Sequence, residues 1–120
     1  MGMNLVVLTG RLTADPELKY TQSGKAFARF TVAVNRTFNR DQVDFINCVA
    51  WDKRAEIITE YMRKGSQAGV QGRLTVRSYD DENGQKRKVT EVVVENLEFL
   101  DSKKTSGSDV NYSSQSSSFE

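Results

Sequence analysis

One segment of this sequence, residues 55–62, repeats its apolar residues at helical spacing, and segments that alternate like strands flank it on both sides. Ile58 and Met62 fall on one helical face, which predicts a helix of about three turns with one buried side. Asp52 is suited to the start of this helix, and Gly65 is suited to the position just beyond its end. A single short helix among strands restricts the chain to small β architectures, and its place in the order of strands narrows the choice further.

Five segments have the alternation or the short apolar run of a β-strand: residues 5–8, 25–35, 43–51, 67–79 and 86–95. The last two are joined by a polar turn that contains Asn83-Gly84, the strongest hairpin signal in the chain. Residues 11–24 hold the only proline and no long periodic segment, which predicts strand ends joined by a wide loop. Three strands, one helix and two strands predict an all-β domain with one short helix. The expected architecture is a five-stranded barrel of the oligonucleotide/oligosaccharide-binding (OB) fold, with the helix between strands three and four.

Alternation also predicts which face of each strand is buried, because successive side chains point to opposite sides. In the segment 25–35 the even-numbered residues are expected to face the core, with Phe30 rather than Phe27 as the buried ring. In the segment 67–79 the predicted core face consists of Ala68, Val70, Leu74 and Val76.

The composition changes after residue 100. Eight of the twenty residues from 101 to 120 are serine, so the sequence predicts an OB domain over residues 1–100 and a disordered tail over residues 101–120. No run of 18 apolar residues and no secretory signal is visible, and the single cysteine can form no intrachain disulfide. The expected location is the cytoplasm.

Enzyme chemistry has little support in this sequence. The chain has no histidine, which removes the commonest general base and the commonest metal ligand. Cys48 lies in the middle of a predicted strand on its inward face, so we interpret it as a packed core thiol. The densest acidic cluster, residues 80–82, lies in a turn, where a solvated loop is the simpler interpretation. The sequence therefore predicts no catalytic residue, no metal site and no cofactor.

Aromatic and basic residues share the faces opposite the predicted core faces. Phe45 and Trp51 lie on one face of the segment 43–51, and Tyr79 shares its face with Arg73 and Arg77. Flat rings and cations are what a protein needs to hold unpaired nucleotides without reading their sequence. Taken singly, each ring could instead belong to the core and each cation could be a solvated surface charge. The convergence of rings and cations on the same faces favours nucleic-acid binding.

Several motifs, in the same order along the chain, resemble those of the bacterial single-stranded DNA-binding protein family. They are Gly10-Arg11-Leu12-Thr13, Phe30-Thr31-Val32-Ala33-Val34-Asn35-Arg36, Asp44-Phe45-Ile46-Asn47-Cys48-Val49-Ala50-Trp51, Tyr61-Met62-Arg63-Lys64-Gly65-Ser66, Gly72-Arg73-Leu74 and Thr90-Glu91-Val92-Val93-Val94. The resemblance extends from about residue 3 to residue 100. It implies an OB-fold protomer that assembles as a homotetramer and binds single-stranded DNA during replication, recombination and repair.

The resemblance also implies roles for individual residues. It places the base-stacking rings at Phe38, Phe45, Trp51 and Tyr79, and it places cations that contact phosphates at Lys19, Lys53, Lys64 and Arg77. From their positions in the sequence we add Arg11, Arg36 and Arg73 to the nucleic-acid-binding residues. Several family members have tryptophan where this chain has Phe38, Phe45 and Tyr79, so each stacking site is expected to be smaller. The family commonly ends in an acidic run with a final phenylalanine, and residues 116–120 lack that run, so recruitment of replication and repair proteins through the tail has little support.

Other functions are compatible with the same pattern. An RNA-binding barrel of the cold-shock type would also present rings and cations, but it would prefer RNA through contacts to the 2′-hydroxyl. A protein-interaction module would bury the same rings against a partner and would have no affinity for homopolymeric DNA. A nuclease on an OB fold is a third and more distant alternative.

Overall fold

A computed structural model of the chain describes residues 2–39 and 41–101. In chain order its elements are β1 (Val6–Leu12), β2 (Glu17–Tyr20), β3 (Ala26–Asn35), β4 (Val43–Trp51), α1 (Lys53–Tyr61), β5 (Gln67–Asp80) and β6 (Lys86–Phe99). Of the predicted tail, residues 101–120, all but Asp101 lie outside the described residues. No helix in the described part of the chain is long and apolar enough to cross a membrane.

Five of the six strands close into a ring. β1 pairs antiparallel with β5 along most of its length and then with β3 through Arg11 and Leu12. The other side is closed by β6, which pairs antiparallel with β5 and parallel with β4 at two positions. β3 and β4 complete the ring as a long antiparallel pair, and α1 lies between the third and fourth strands of the ring. The predicted five-stranded barrel with its helix at this place is therefore confirmed.

The sixth strand, β2, lies within the segment expected to be a loop with strand ends. Its four residues pair antiparallel with the first half of β3, which places Lys19 opposite Phe27. β2 adds an edge to the sheet without entering the ring, and it carries Lys19 to the face on which Phe27 lies.

Gly10 lies where β1 leaves β5 and turns toward β3. A Cβ atom at this position would be 2.6 Å from Val32 Cγ1 and would overlap the carbonyl oxygen of Ala33. Real Cβ atoms do not approach other heavy atoms this closely. The absence of a side chain at residue 10 therefore allows the two strands to meet and the ring to close.

The barrel core follows the predicted alternation. The even-numbered residues of β3 from Ala26 to Val32 are buried, and Phe30 rather than Phe27 is the buried ring of that strand. Ile58 and Met62 of the helical region are fully buried against the barrel. The apolar stripe of the helical segment thus fills one end of the barrel, as its spacing predicts.

The helix has nine residues, about two and a half turns, and ends at Tyr61 rather than near Gly65. Asp52 precedes it with φ 56°, and its side chain makes no capping hydrogen bond. Gly65 has φ 89° and belongs to the following turn, where its N–H donates to the carbonyl oxygen of Leu12 at 2.8 Å. The glycine therefore joins the segment after the helix to β1, and it does not cap the helix.

The prediction that Leu74 and Val76 face the core is wrong, because both side chains are exposed. β1 pairs with β5 only as far as Gly72. Beyond that point β5 and β6 continue as a two-stranded hairpin, and the face that carries Leu74 and Val76 has no opposing layer in the described chain. The strand pattern extends beyond the barrel, into the part of the hairpin that β1 does not pair with.

Candidate nucleic-acid interface

Phe45 and Asn47 lie on the outer face of β4, as the alternation predicts. The Phe45 side chain is 66% exposed, which excludes the interpretation that it is a core ring. Asn47 accepts a hydrogen bond from the Thr31 hydroxyl across the β3–β4 pair at 3.3 Å. The middle of this sheet face is therefore polar, with one large ring open to solvent beside it.

Trp51 forms the centre of an aromatic group at the end of β4. Its ring centroid is 5.3 Å from that of Phe27, its direct cross-strand partner, with the planes inclined by 37°. Lys25 Nζ lies 5.0 Å above the Trp51 ring, and the Arg29 guanidinium carbon lies 5.1 Å above the Phe27 ring. Trp51 is half-buried, so part of its surface remains open for a further flat group.

A buried carboxylate links this group to the β5–β6 hairpin. Glu91 in β6 is 6% exposed, and its two oxygens lie 3.6 Å from Arg29 Nε and 3.1 Å from Arg77 Nε. The Arg77 guanidinium carbon lies 5.7 Å above the Tyr79 ring. Side chains in successive contact thus run from β3 and β4 to the hairpin, and we call them the Trp51–Tyr79 row: Lys25, Trp51, Phe27, Arg29, Glu91, Arg77 and Tyr79.

Four members of the row were not among the predicted site residues: Lys25, Phe27, Arg29 and Glu91. The signal for Phe27 and Arg29 was their odd-numbered position on β3, opposite the buried face. No comparable signal marks Glu91, because its role depends on which residues of three different strands the register brings together.

Phe38 and Lys19 lie outside the row. Phe38 is 99% exposed in the connection between β3 and β4, and no ring contact of this residue is present in the described structure. Lys19 lies opposite Phe27 in β2, and its Nζ is 3.9 Å from the Glu17 carboxylate. Both side chains are free to meet a ligand that extends beyond the row.

Besides Arg77, the three other predicted arginines also have protein partners. The Arg36 guanidinium donates to both Asp44 oxygens at 3.1 and 3.0 Å and to the Gln42 side chain at 2.8 Å. This hydrogen bonding lowers the pKa of Asp44 and raises the pKa of Arg36. Arg73 is 3.2 Å from the Glu95 carboxylate, and Arg11 donates to the carbonyl oxygen of Gly65. A large part of the positive charge of Arg36 is therefore balanced by Asp44 at the start of β4.

Lys53 and Lys64 are exposed cations beside the helix. Lys53 begins α1, two residues after Trp51, and Lys64 follows the helix. Neither ammonium group has an ion pair within the part of the chain that the structure describes. The Lys64 backbone N–H donates to Asp15 at 2.7 Å, which fixes the chain at that point.

The Cys48 thiol is buried in the core, as predicted. Burial raises its pKa to about 12, and the nearby Glu91 carboxylate adds to the shift. Because the thiolate is the reactive form, iodoacetamide at pH 8 should alkylate the folded protein at least a hundredfold more slowly than the urea-unfolded chain. Mass spectrometry of timed samples measures both rates, and equal rates would contradict a closed core at this position.

The acidic residues in the described part of the chain form neither a metal site nor part of the Trp51–Tyr79 row, apart from Glu91. The described residues contain no group of three or more histidine, cysteine, aspartate or glutamate side chains arranged to hold a metal ion. Asp81 in the hairpin turn is bound by Arg87 at 2.8 Å, and the hydrogen bond lowers its pKa. The acidic turn is therefore tied to its own hairpin.

Comparison with known proteins identifies relatives over the whole described domain. The model of the single-strand binding protein family matches residues 3–100. The chain is 54% identical over 103 residues to a single-stranded DNA-binding protein of Halalkalibacterium halodurans, which covers 82% of this chain and 61% of that protein. It is 52% identical over 110 residues to single-stranded DNA-binding protein A of Bacillus subtilis, which covers 88% of this chain and 64% of that protein. The chain thus spans less than two thirds of the length of these two relatives.

Proposed function

Because this chain belongs to the single-strand binding protein family, we propose that it binds and protects single-stranded DNA without catalysis and largely without sequence preference. Bases stack on the four predicted rings, Phe38, Phe45, Trp51 and Tyr79. Phosphates are neutralised by Lys19, Lys53, Lys64 and Arg77, with contributions from Arg11, Arg36 and Arg73. The binding domain covers residues 1–100.

The Trp51–Tyr79 row is the observation that carries this proposal. Rings lie at both ends of it, Trp51 with Phe27 at one end and Tyr79 at the other, and two guanidinium groups lie between them. Such a surface offers rings to the bases and cations to the phosphates of a single strand. Stacking on one ring contributes about 1–3 kcal/mol and tolerates any base, since every base has a flat face. A surface of this kind supports affinity without sequence reading.

The cellular setting and the assembly are part of the same proposal. We propose that the protein acts in DNA replication, recombination and repair in the cytoplasm, and that it does so as a homotetramer. The apolar side chains of Leu5, Val7, Leu74 and Val76 are exposed. They support self-association, because a group of large exposed apolar residues is typical of a surface that another protein covers.

Trp51 fluorescence tests the proposal directly, because Trp51 is the only tryptophan in the chain. Titration with a thymidine oligonucleotide should quench the emission strongly, and the affinity should fall as the salt concentration rises. An RNA oligonucleotide of matched length distinguishes a cold-shock-type barrel, which would bind the RNA more tightly. Absence of both quenching and binding at low salt would overturn the proposal and favour a protein-interaction module.

A further inference from the structure

Glu91 is the one charged residue that the structure buries among the described residues, and it lies within the proposed DNA-binding face. A buried carboxylate is unfavourable unless it is paired with cations, and its negative charge also opposes the binding of a polyanion at the same surface. One oxygen of Glu91 accepts a hydrogen bond from Nε of Arg77 in β5 at 3.1 Å, and the other forms an ion pair with Nε of Arg29 in β3 at 3.6 Å.

Both arginines have guanidinium donors that the contact with Glu91 does not use. Their side chains are 46% and 42% exposed, and each contacts Glu91 through Nε. Among the described residues no hydrogen bond of their terminal nitrogens is present. Arg29 and Arg77 line an open cavity of about 390 Å³, which Asn47 and Thr31 also line. Asp15 lines the cavity as well, with one carboxylate oxygen accepting the Lys64 N–H.

The arrangement resembles a preorganised receptor for an anion. Two guanidinium groups share one carboxylate, so they are close neighbours, and their combined charge exceeds that of Glu91 by one. A guanidinium group is planar, and one that contacts Glu91 through Nε still has both terminal nitrogens available side by side, which suits the oxygens of a phosphate. The hydrogen bond of Arg77 and the ion pair of Arg29 restrict both side chains before binding, which reduces the side-chain entropy lost when a ligand arrives.

We propose that Glu91 is a positioning residue that holds Arg29 and Arg77 as a joint binding site for one backbone phosphate of the bound strand. The proposal rests on the proposed function and adds to it a cation, Arg29, and an acidic residue whose loss weakens DNA binding. The phosphate lies between the base stacked on Trp51 and the base stacked on Tyr79, because the pair lies between those rings in the row.

The first test is the sign of the effect of Glu91→Gln. If Glu91 acted only through its charge, removing that charge would strengthen binding to a thymidine oligonucleotide. As a positioning residue, its loss should weaken binding about fivefold at 0.1 M salt and reduce the salt slope by about 0.7, the slope expected for one phosphate of a single strand. Glu60→Gln makes the same charge change on the exposed face of α1 and should leave both quantities unchanged. Tighter binding by Glu91→Gln would overturn the proposal.

The second test uses exposed arginines and does not depend on the buried carboxylate. Arg29→Gln and Arg77→Gln should each reduce the salt slope by about 0.7, and the double variant should reduce it by about 0.7 as well, because both side chains serve one phosphate. A reduction of about 1.4 in the double variant would mean two separate phosphates and would overturn the joint site. Arg63→Gln is the matched control, because Arg63 donates to carbonyl oxygens of its own helical segment.

Failure of this inference is distinguishable from failure of the proposed function. If the unmodified protein does not bind the oligonucleotide, the proposed function itself is wrong. If the unmodified protein binds and Arg29→Gln has the salt slope of the unmodified protein, only the joint phosphate site is wrong. Urea unfolding of each variant shows whether a loss of binding reflects a loss of folded protein.

Discussion

Gly10→Ala is expected to destabilise the folded protein by about 3 kcal/mol, because the added methyl group cannot be accommodated where β1 turns toward β3. The new Cβ atom would overlap the Ala33 carbonyl oxygen and lie 2.6 Å from Val32 Cγ1. Neither the backbone of β3 nor the buried Val32 side chain can move away without disturbing the barrel. Urea unfolding at a fixed protein concentration measures the change, since the stability of an assembling protein depends on concentration.

Gly69→Ala is the matched control for this prediction. Gly69 lies in β5 directly opposite Thr9, the neighbour of Gly10, but a Cβ atom there would be 3.4 Å from the nearest side-chain atom, an ordinary contact. The variant should change the free energy of unfolding by about 1 kcal/mol or less, toward greater stability, because alanine costs less backbone entropy than glycine in a strand. Similar losses in both variants would show that closure of the ring does not depend on the missing side chain at residue 10.

Trp51→Ala should weaken binding of a thymidine oligonucleotide by about 1–3 kcal/mol, roughly 5- to 150-fold, with little change in the salt slope. The ring offers the largest stacking surface in the row, and its loss also leaves Phe27 without its cross-strand partner. Fluorescence anisotropy of a labelled oligonucleotide at several salt concentrations measures both the affinity and the slope.

Two further variants make the Trp51 result specific. Tyr61→Ala removes an exposed ring on α1 that packs against Phe99, away from the row, and it should leave the affinity unchanged. Lys53→Ala should reduce the salt slope by about 0.7, because it removes a cation rather than a stacking surface. Equal slopes for Trp51→Ala and Lys53→Ala would contradict the separation of stacking residues from phosphate-binding residues.

Much of the fold could be predicted because the alternation of apolar residues along a strand matches the face that the barrel buries. The even-numbered residues of β3 alternate cleanly, and that strand is buried on one face along most of its length. Leu74 and Val76 show where such a pattern is insufficient. An apolar face predicts a buried surface, but it does not say whether the covering layer lies in the same chain. Here β1 pairs with β5 only as far as Gly72.

The candidate site could be predicted in part for a similar reason. Alternation placed Phe45 and Trp51 on the outer face of β4, and the structure leaves both accessible. The contact of Glu91 with Arg29 and Arg77 could not be predicted, because it requires the register of β3, β5 and β6 together. The sequence also does not show which charged residues form ion pairs, so the ion pair between Arg36 and Asp44 could be found only in the structure.

The ring of strands limits how far this chain can fold while it is being synthesised. Val6 pairs with Gly72, and Cys48 pairs with Val92. β1 therefore cannot pair with β5, nor β4 with β6, until the later strand of each pair has been synthesised. A nascent chain that still lacks β6 can form the β1–β5 and β3–β4 pairs but cannot close the ring, and its unpaired strand edges remain open to other chains. Long-range pairing of this kind slows folding relative to a helical domain of the same length. Productive folding is therefore expected only once β6 has emerged from the ribosome.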